Sequence, residues 1–383
     1  MRIAFFHNLP SGGAKRVAFE FIRLLVKTHE VDLYTYDNTS KDFNDIALLV
    51  DNKIHINGGD ESKAKAIGRL ISIYRVRTSS KKMSKLINEG GYDLALVMQC
   101  KVTNSPFLLQ YLNIPSLYVC HEPAAKINEP HYQQNRKKSA ASFLKKIIIS
   151  YILKIDCLNA RKATLISTSS LYSCEDLYRN YGVHPKLNYL GVDTEKFTPL
   201  DIPKDSYILS VGALNAAKSQ DFLIKSIATL RNKPPIKFIY NYSYGHKEYQ
   251  QYLIDLANSL GVSISFEFMV SDVELVKAYN QAALTAFPSL LEPLGLVPLE
   301  SMACGTPVVG VAEAGIRETV IHNKTGLLTE RDPCKFGKAI ELLLNDTQLI
   351  AKMGQNGRIN VEEKWLWKHA FETLESNIAK VVE

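Results

Sequence analysis

Short apolar runs alternate with segments of helical periodicity along most of the chain. Apolar runs predict strands at residues 3–6, 31–36, 207–212, 236–240 and 284–287. Between them, segments such as 17–25 and 222–230 place their apolar residues on one face of a helix. Strands that alternate with amphipathic helices are typical of doubly wound α/β sheets with parallel strands.

The length of the chain favours two domains. At 383 residues it exceeds one ordinary domain and fits two domains of about 150 to 200 residues, each with its own core. Residues 191–205 are rich in proline and aspartate, which is typical of a linker. We therefore place the boundary near residue 197, between domains 1–196 and 197–365.

The composition restricts the class of protein and the cellular compartment in which it is expected. A hydrophobic content of 46% excludes broad disorder. The six cysteines include no Cys-x-x-Cys pair, which favours free thiols in a reducing compartment and implies no cysteine-based metal site. The first residues form a predicted strand without the pattern of a secretory signal. We expect a cytoplasmic protein.

The positive charge lies in the first half. Residues 1–200 carry 28 basic and 18 acidic side chains, whereas residues 201–383 carry 18 and 21. Residues 135–155 form a basic stretch that runs into an apolar one too short to span a bilayer. Two interpretations stay open: an amphipathic helix at the inner face of an anionic membrane, or a core helix with a solvated lysine face. No recognised nucleic-acid motif accompanies the charge, so nucleic acid is not expected as a partner.

The most informative run is SLLEPLGLVPLESMACGTPVV, residues 289–309. Glu292 precedes a proline, which predicts an extended loop, and Pro298 suits the first position of a helix. Glu300 would then lie in the first helical turn. We expect the helix to stop at Gly305, ahead of a buried strand at 308–311.

This loop and helix start have the chemistry of a nucleotide-sugar site. A carboxylate in a first helical turn, as expected for Glu300, is an ionised acceptor suited to the paired hydroxyls of a ribose. Glu292 can reach a different group. Between them, the backbone N–H groups of Leu294, Gly295 and Leu296 approach a helix N-terminus, where a diphosphate is readily bound.

The run resembles, almost residue by residue, the signature of the retaining GT-B glycosyltransferases known as family four. Residues 8–16 are similar to the family's Gly-Gly-Ala-Glu-Arg-Val segment, with Lys15 in place of the usual acid. His121, at the end of a predicted strand, matches a histidine that contacts the donor sugar in the family. Residues 211–219 resemble the family's Gly-Arg-Leu-x-x-x-Lys-Gly, with Ala213 replacing the arginine and Ser219 the second glycine.

The resemblance implies a fold and a reaction. The fold is α/β, with two Rossmann-like domains that face each other across a cleft in the GT-B manner. Residues 1–196 would bind the acceptor and residues 197–365 the nucleotide sugar, while a last helix at about 366–383 crosses back to the first domain. The implied activity is that of a hexosyltransferase of class EC 2.4, which retains anomeric configuration. It would move a sugar from a nucleoside-diphosphate donor, a UDP-sugar above all, to a glycan or lipid-linked acceptor in exopolysaccharide or other cell-envelope glycan synthesis.

The resemblance also assigns roles to residues. His121 and Glu292 would act on the donor sugar. The other donor-binding residues are Gly12, Gly13, Lys218, Leu294, Gly295, Leu296, Glu300 and Arg317. Lys218 would stabilise the leaving diphosphate, and Arg317 would replace the cation lost at Ala213. Because lysine and backbone dipoles can neutralise the diphosphate, no metal and no other cofactor are expected.

Two alternatives stay open. A GT-B protein could use the same nucleotide-sugar site for another reaction, such as epimerisation. The missing arginine at Ala213 also allows a catalytically silent scaffold that only binds partners.

Overall fold

The protein is described here from a computed structural model. The structure describes residues 1–10, 12–37, 45–58, 66–125, 142–241 and 245–383. These residues form two compact units, Met1–Asn188 with Phe371–Glu383, and Tyr189–Ala370.

The first unit is built on a sheet of parallel strands. In its described part the strands are β1 (Arg2–Asn8), β2 (Glu30–Tyr36), β3 (Lys53–Ile56), β4 (Leu94–Cys100), β5 (Ser116–Val119), β6 (Leu165–Thr168) and β7 (Lys186–Leu187). Their spatial order is β3-β2-β1-β4-β5-β6-β7. The helices are α1 (Gly13–Leu25), α2 (Ala66–Glu89), α3 (Ser142–Ala160) and α4 (Leu171–Tyr181). One core lies between this sheet and α2 and α3, and it contains Phe6, Val97, Ile73, Met83 and Ile152.

The second unit repeats the design. Its strands are β8 (Ile208–Val211), β9 (Ile236–Tyr240), β10 (Ile264–Phe268), β11 (Leu284–Phe287), β12 (Val308–Val311) and β13 (Gly326–Thr329). They are all parallel, in the order β10-β9-β8-β11-β12-β13. Its helices are α5 (Gln220–Ala228), α6 (His246–Leu260), α7 (Asp272–Gln281), α8 (Leu296–Ala303), α9 (Ile316–Thr319), α10 (Pro333–Leu344) and α11 (Thr347–Lys364). The last helix, α12 (Trp367–Val382), starts in the second unit and continues into the first.

The segments around the predicted boundaries are joined within the second unit. The backbone N–H of Val192 donates to the carbonyl of Trp365 at 2.8 Å. A Cβ at Gly191 would lie 2.2 Å from the backbone nitrogen of Trp367, so the two segments are in direct backbone contact. Residues 197 and 366, where the sequence placed the boundaries, therefore both lie inside this unit.

The predicted alternation of strands and helices is confirmed. Strands predicted at 236–240, 284–287 and 308–311 have those bounds in the structure, and the others differ by one or two residues at their ends. The start of α8 was predicted wrongly, because the helix begins at Leu296 and Pro298 is its third residue. Proline is tolerated there, since the first backbone N–H groups of a helix have no partner within it.

The basic stretch 135–155 is only partly described. Residues 135–141 lie outside the described residues. In α3, Ile148, Ile152 and Ile155 are buried in the first core, whereas Tyr151 is 42% exposed. In the part of the chain that the structure describes, none of the helices has the length and apolar character that a bilayer span requires.

Candidate functional site

The predicted donor residues of the second unit gather where its sheet changes winding direction. From β8 the chain passes through α5 to β9 on one side, whereas from β11 it passes through α8 to β12 on the other. In open α/β sheets, ligands bind outside the carboxyl ends of the two strands that flank such a point. Lys218 follows β8 and Glu292 follows β11, so both lie at this edge.

The turn after β8 presents Lys218. Gly212 has a φ of 150°, a conformation that favours glycine, and the lysine stem passes 3.6 Å from the position that a Cβ would occupy there. The Asn215 side chain accepts from the backbone N–H of Lys218 at 3.3 Å, at the end of a short 3-10 turn. The position of Lys218 is therefore set by this short turn after β8 and not by a long helix.

Lys218 and Glu292 form an ion pair. The Lys218 Nζ lies 2.5 Å from the Glu292 Oε2, and the two side chains are 26% and 23% exposed. The N–H of Leu290 also donates to the Ala217 carbonyl at 2.8 Å, which ties the loop after β11 to the turn after β8. The structure thus brings together the predicted diphosphate cation and the predicted sugar-orienting carboxylate.

The loop that leads into α8 is tightly constrained. Leu291 has a φ of 44°, which is strained for a leucine, and Gly295 has a φ of 91°. A Cβ at Gly295 would lie 3.0 Å from the Phe287 ring. Gly295 is the N-cap of α8, and its end of the helix has no side-chain cap. Its N-terminal N–H groups, including that of Leu296, can therefore bind an anion.

Glu300 lies deeper than predicted. Because α8 begins at Leu296, Glu300 is in the second turn and not in the first. It therefore lacks the favourable interaction that the helix dipole gives a carboxylate in the first turn. Glu300 is only 4% exposed, and its Oε2 accepts from the hydroxyl of the fully buried Tyr279 at 2.8 Å. Its orientation is set by this hydrogen bond, which the sequence reasoning did not identify.

The loop after β12 closes against the Glu292 segment. The N–H of Gly315 donates to the Glu292 carbonyl at 3.0 Å. A Cβ at Gly315 would lie only 2.0 Å from the Pro293 carbonyl oxygen, so no side chain fits there. Arg317 follows on α9, exposed, with its Nε donating to the Ala314 carbonyl at 3.1 Å. Its position near the Glu292 segment is thus observed, while its contact with a donor stays a prediction.

Arg331, a second residue that the sequence did not indicate, binds both the loop after β11 and the loop after β12. Its guanidinium pairs with Glu313 through contacts of 2.7 to 3.1 Å. It also donates to the carbonyls of Pro288 and Ser289 at 3.0 Å each, directly after β11. Because arginine offers planar, bidentate donors, one side chain fixes two successive carbonyls ahead of Glu292. No pattern in the sequence marked this residue.

In the first unit, the glycine loop follows β1 and opens α1. Gly12 is the N-cap of α1 with a φ of 145°, and among the described residues, chain neighbours aside, none would lie within 4 Å of a Cβ added there. Lys15, which replaces the family's acid, is buried on α1. Burial, with a smaller contribution from Lys15, lowers the pKa of His7 to about 3.

His121 follows β5 and is 8% exposed. Its backbone N–H donates to the Gln99 side chain at 3.3 Å, and its buried Nε2 has no hydrogen-bond partner among the described residues. Burial lowers the pKa of His121 to about 4, against the opposing effect of Glu122. The imidazole is therefore neutral at pH 7, which suits a hydrogen-bonding or positioning role.

A buried aspartate on α3 supports the segment after His121. Asp156 is 1% exposed and accepts from the hydroxyl of Tyr181 at 2.6 Å and from the backbone N–H of Ala124 at 2.9 Å. It also accepts from the N–H and hydroxyl of Ser105 at 2.9 and 2.6 Å. A fully hydrogen-bonded carboxylate can be buried stably, and here it anchors the loop that carries His121.

The described residues contain no metal-ligand cluster. Within them, the His, Cys, Asp and Glu side chains form no group of three or more that could hold a metal ion.

Two family models match the chain in succession. Residues 11–196 match the model described as Glycosyltransferase Family 4, and residues 192–360 match Glycosyl transferases group 1. Similar curated proteins are D-inositol 3-phosphate glycosyltransferases. The one from Salinispora arenicola is 34% identical over 44% of this chain and 43% of its own length. The one from Corynebacterium diphtheriae is 27% identical over 69% and 65%. The aligned part of the chain thus spans 43% to 65% of the length of these relatives.

Solved structures share the fold over nearly the whole chain. Sucrose-phosphate synthase from Thermosynechococcus elongatus has a TM-score of 0.80 at 20% identity, covering 99% of this chain and 98% of that one. Anabaena HepE in complex with UDP-glucose has a TM-score of 0.77 at 18% identity, covering 99% and 100%. Together with the two doubly wound parallel sheets and the loop from Glu292 to Glu300, these matches show that the chain belongs to glycosyltransferase family 4 and has the GT-B fold.

Proposed function

We propose that this protein is a retaining glycosyltransferase that takes its sugar from a nucleoside-diphosphate donor. The observation that carries the proposal is the Lys218–Glu292 pair at the winding change of the second sheet, beside the uncapped start of α8. A cation and a helix N-terminus side by side favour a diphosphate, and a partly exposed carboxylate next to them can accept from sugar hydroxyls.

The leaving group is the nucleoside diphosphate. Negative charge develops on it as the glycosidic bond breaks, and Lys218 with the N–H groups at Gly295 and Leu296 stabilises that charge. Because a lysine and backbone dipoles supply the positive potential, the reaction we propose needs no metal ion. Chelation with EDTA should leave the rate unchanged, and a rate that depends on Mg²⁺ or Mn²⁺ would contradict this point.

The two glutamates have different tasks in this proposal. Glu292 orients the donor sugar, while the carboxylate of the buried Glu300, which accepts from Tyr279, accepts from the ribose hydroxyls. His121 contributes as a neutral imidazole that positions the sugar, because its depressed pKa makes it a poor proton carrier at pH 7. Gly12 and Gly13 let a ligand approach the backbone at the start of α1.

UDP-sugar is the donor we propose, and a glycan or lipid-linked molecule in cell-envelope glycan synthesis is the acceptor. The donor choice is supported by Anabaena HepE, which is similar in fold and was solved with UDP-glucose. The hexosyltransferase class is supported by the family of the chain.

The test is nucleotide release from a panel of UDP-, GDP- and ADP-sugars, with binding of each nucleotide measured by calorimetry. Lys218→Met should weaken diphosphate binding about tenfold to a hundredfold, since a charge-assisted contact contributes about 1.5 to 3 kcal/mol. Glu292→Gln should preserve nucleotide binding and lower the turnover of the sugar. Lys225→Met, on the exposed face of α5, is the matched control and should behave as wild type. Binding without release from every donor would favour the silent scaffold, and no binding at all would refute the proposal.

A further inference from the structure

Helix α2 carries an unusual share of the charge of the protein. Its 24 residues include six basic side chains and one acidic side chain, a balance of +5 in a chain whose net charge is +7. The basic residues are Arg69, Arg75, Arg77, Lys81, Lys82 and Lys85. All of them are exposed, so this helix presents a strongly positive surface.

The same surface also exposes large apolar side chains near the start of α2. Tyr74 is 71% exposed, Ile71 47% and Leu70 38%. The opposite face of α2 is buried in the first core through Ile73 and Met83 among others. The helix is therefore already packed through its buried face, and the apolar side chains on its outer face are not needed for that packing.

The exposed surface continues onto α3. Arg77 donates to the Tyr111 hydroxyl at 2.9 Å, and this hydrogen bond is the main reason that its pKa is raised. Tyr151 of α3, which is 42% exposed, is close enough to contribute to the same shift. Ile147 lies one turn earlier on α3 and is 49% exposed. Aromatic and aliphatic side chains thus accompany the cations on two neighbouring helices.

We propose that this surface, formed by the outer faces of α2 and α3, binds an anionic lipid bilayer, with Leu70, Ile71 and Tyr74 inserted among the headgroups. Cations that flank exposed aliphatic and aromatic side chains match the boundary between anionic headgroups and acyl chains. A nucleic-acid backbone would pair with the cations but leave the aliphatic side chains in water. A second copy of the chain would place one +5 helix against another, which is unfavourable.

Sedimentation with extruded vesicles tests this proposal on the full-length protein. We expect binding to vesicles that contain phosphatidylglycerol, little binding to pure phosphatidylcholine, and a decrease as salt is raised. The variant Arg75→Gln/Lys81→Gln/Lys82→Gln should bind about 100-fold more weakly, because each basic side chain near an anionic surface strengthens binding about fivefold. Its matched control, Lys247→Gln/Lys277→Gln/Lys352→Gln, removes three exposed lysines from helices of the second unit and should bind as wild type.

The apolar part of the surface is tested separately. Leu70→Ser/Ile71→Ser/Tyr74→Ser should weaken vesicle binding at least tenfold while leaving the thermal unfolding midpoint unchanged, because these side chains are exposed. In a Tyr74→Trp variant the new indole should shift its emission to shorter wavelength when anionic vesicles are added. If the surface binds anions through its charge alone, the serine variant should bind vesicles as wild type and the indole emission should not shift.

Three results would overturn the proposal. The first is an equal loss of binding in the control variant. The second is tighter binding to duplex DNA than to anionic vesicles at the same ionic strength, which would assign the surface to nucleic acid. The third is self-association, abolished by the α2 variants, in the absence of lipid. Vesicle binding needs neither donor nor acceptor, so failure here would leave the proposed transfer reaction intact.

Discussion

Replacing Arg331 with methionine removes the guanidinium that holds the loop after β11. Methionine keeps much of the aliphatic volume, including the packing near Phe222, whose ring centroid lies 5.3 Å from the guanidinium carbon. The change therefore isolates the hydrogen bonds and the charge. Three partners lose their donor: the Glu313 carboxylate and the carbonyls of Pro288 and Ser289.

The expected loss in the free energy of unfolding depends on how exposed these three partners are. The Glu313 side chain is 28% exposed, so its carboxylate is rehydrated in part when Arg331 is removed. The two carbonyls lose charge-assisted bonds, each of which contributes about 1.5 to 3 kcal/mol before rehydration. We expect the free energy of unfolding of the second unit to fall by about 2 to 4 kcal/mol. Since a displacement of about 1 Å near reacting groups can cost a hundredfold in rate, turnover should fall by one to two orders of magnitude.

The assay combines urea denaturation with nucleotide release under saturating donor. Arg331→Lys should recover only part of the loss, because an ammonium cannot reproduce the planar fork. A double-mutant cycle with Glu313→Gln should give a coupling of about 1 to 2 kcal/mol. Arg231→Met, at an exposed site in the same unit, serves as the control.

The reasoning fails if Arg331→Met unfolds at the wild-type urea concentration and keeps the wild-type rate. It also fails if the cycle shows no coupling between the two side chains. A loss of stability without any change in turnover would confirm the contacts but refute the positioning of Glu292.

The remaining predictions concern backbone packing, pH and a buried carboxylate. Gly315→Ala should destabilise the second unit by about 3 kcal/mol and weaken nucleotide binding, because its Cβ would lie 2.0 Å from the Pro293 carbonyl oxygen. Thermal unfolding measures the stability and calorimetry the nucleotide binding, and an unchanged unfolding midpoint would contradict the prediction. His7 and His121 have folded pKa values of about 3 and about 4 against 6.5 when unfolded, so the unfolded chain binds more protons and stability falls as the pH falls below 6.5. From pH 7 to pH 5 each histidine should cost about 2 kcal/mol in urea denaturation, and His121→Gln should show a correspondingly smaller decrease. Asp156→Ala should cost about 3 to 5 kcal/mol in the first unit, because it leaves several buried donors without an acceptor; a loss below 1 kcal/mol would show that water replaces the carboxylate.

Much of the architecture could be predicted from the sequence, because buried parallel strands are short apolar runs. Each of the runs at 236–240, 284–287 and 308–311 has a proline directly before or directly after it, and the ends of all three match the structure. The start of α8 could not be predicted in the same way. Pro298 is compatible with any of the first helical positions, and the choice of Leu296 depends on Gly295, whose φ of 91° breaks the helical conformation directly before it.

The loop chemistry was predictable in part. The types of residue at 292, 295 and 300 indicated a site, since they combine acceptors with a helix start. The side chains that orient them were not predictable, because Tyr279 and Arg331 are distant in sequence and reach the site only through tertiary packing. A buried tyrosine or a partly buried arginine has no sequence pattern that distinguishes it from many others.

Helix α12 has a consequence for synthesis of the protein. Its residues from Phe371 onward belong to the first unit, and Leu374 and Ile378 are fully buried. A ribosome therefore releases the last piece of the first unit only after it has made the whole second unit. The first unit therefore stays incomplete, with apolar surface uncovered, until residues 371–383 have been made, and it can complete its fold only after the second unit has been synthesised.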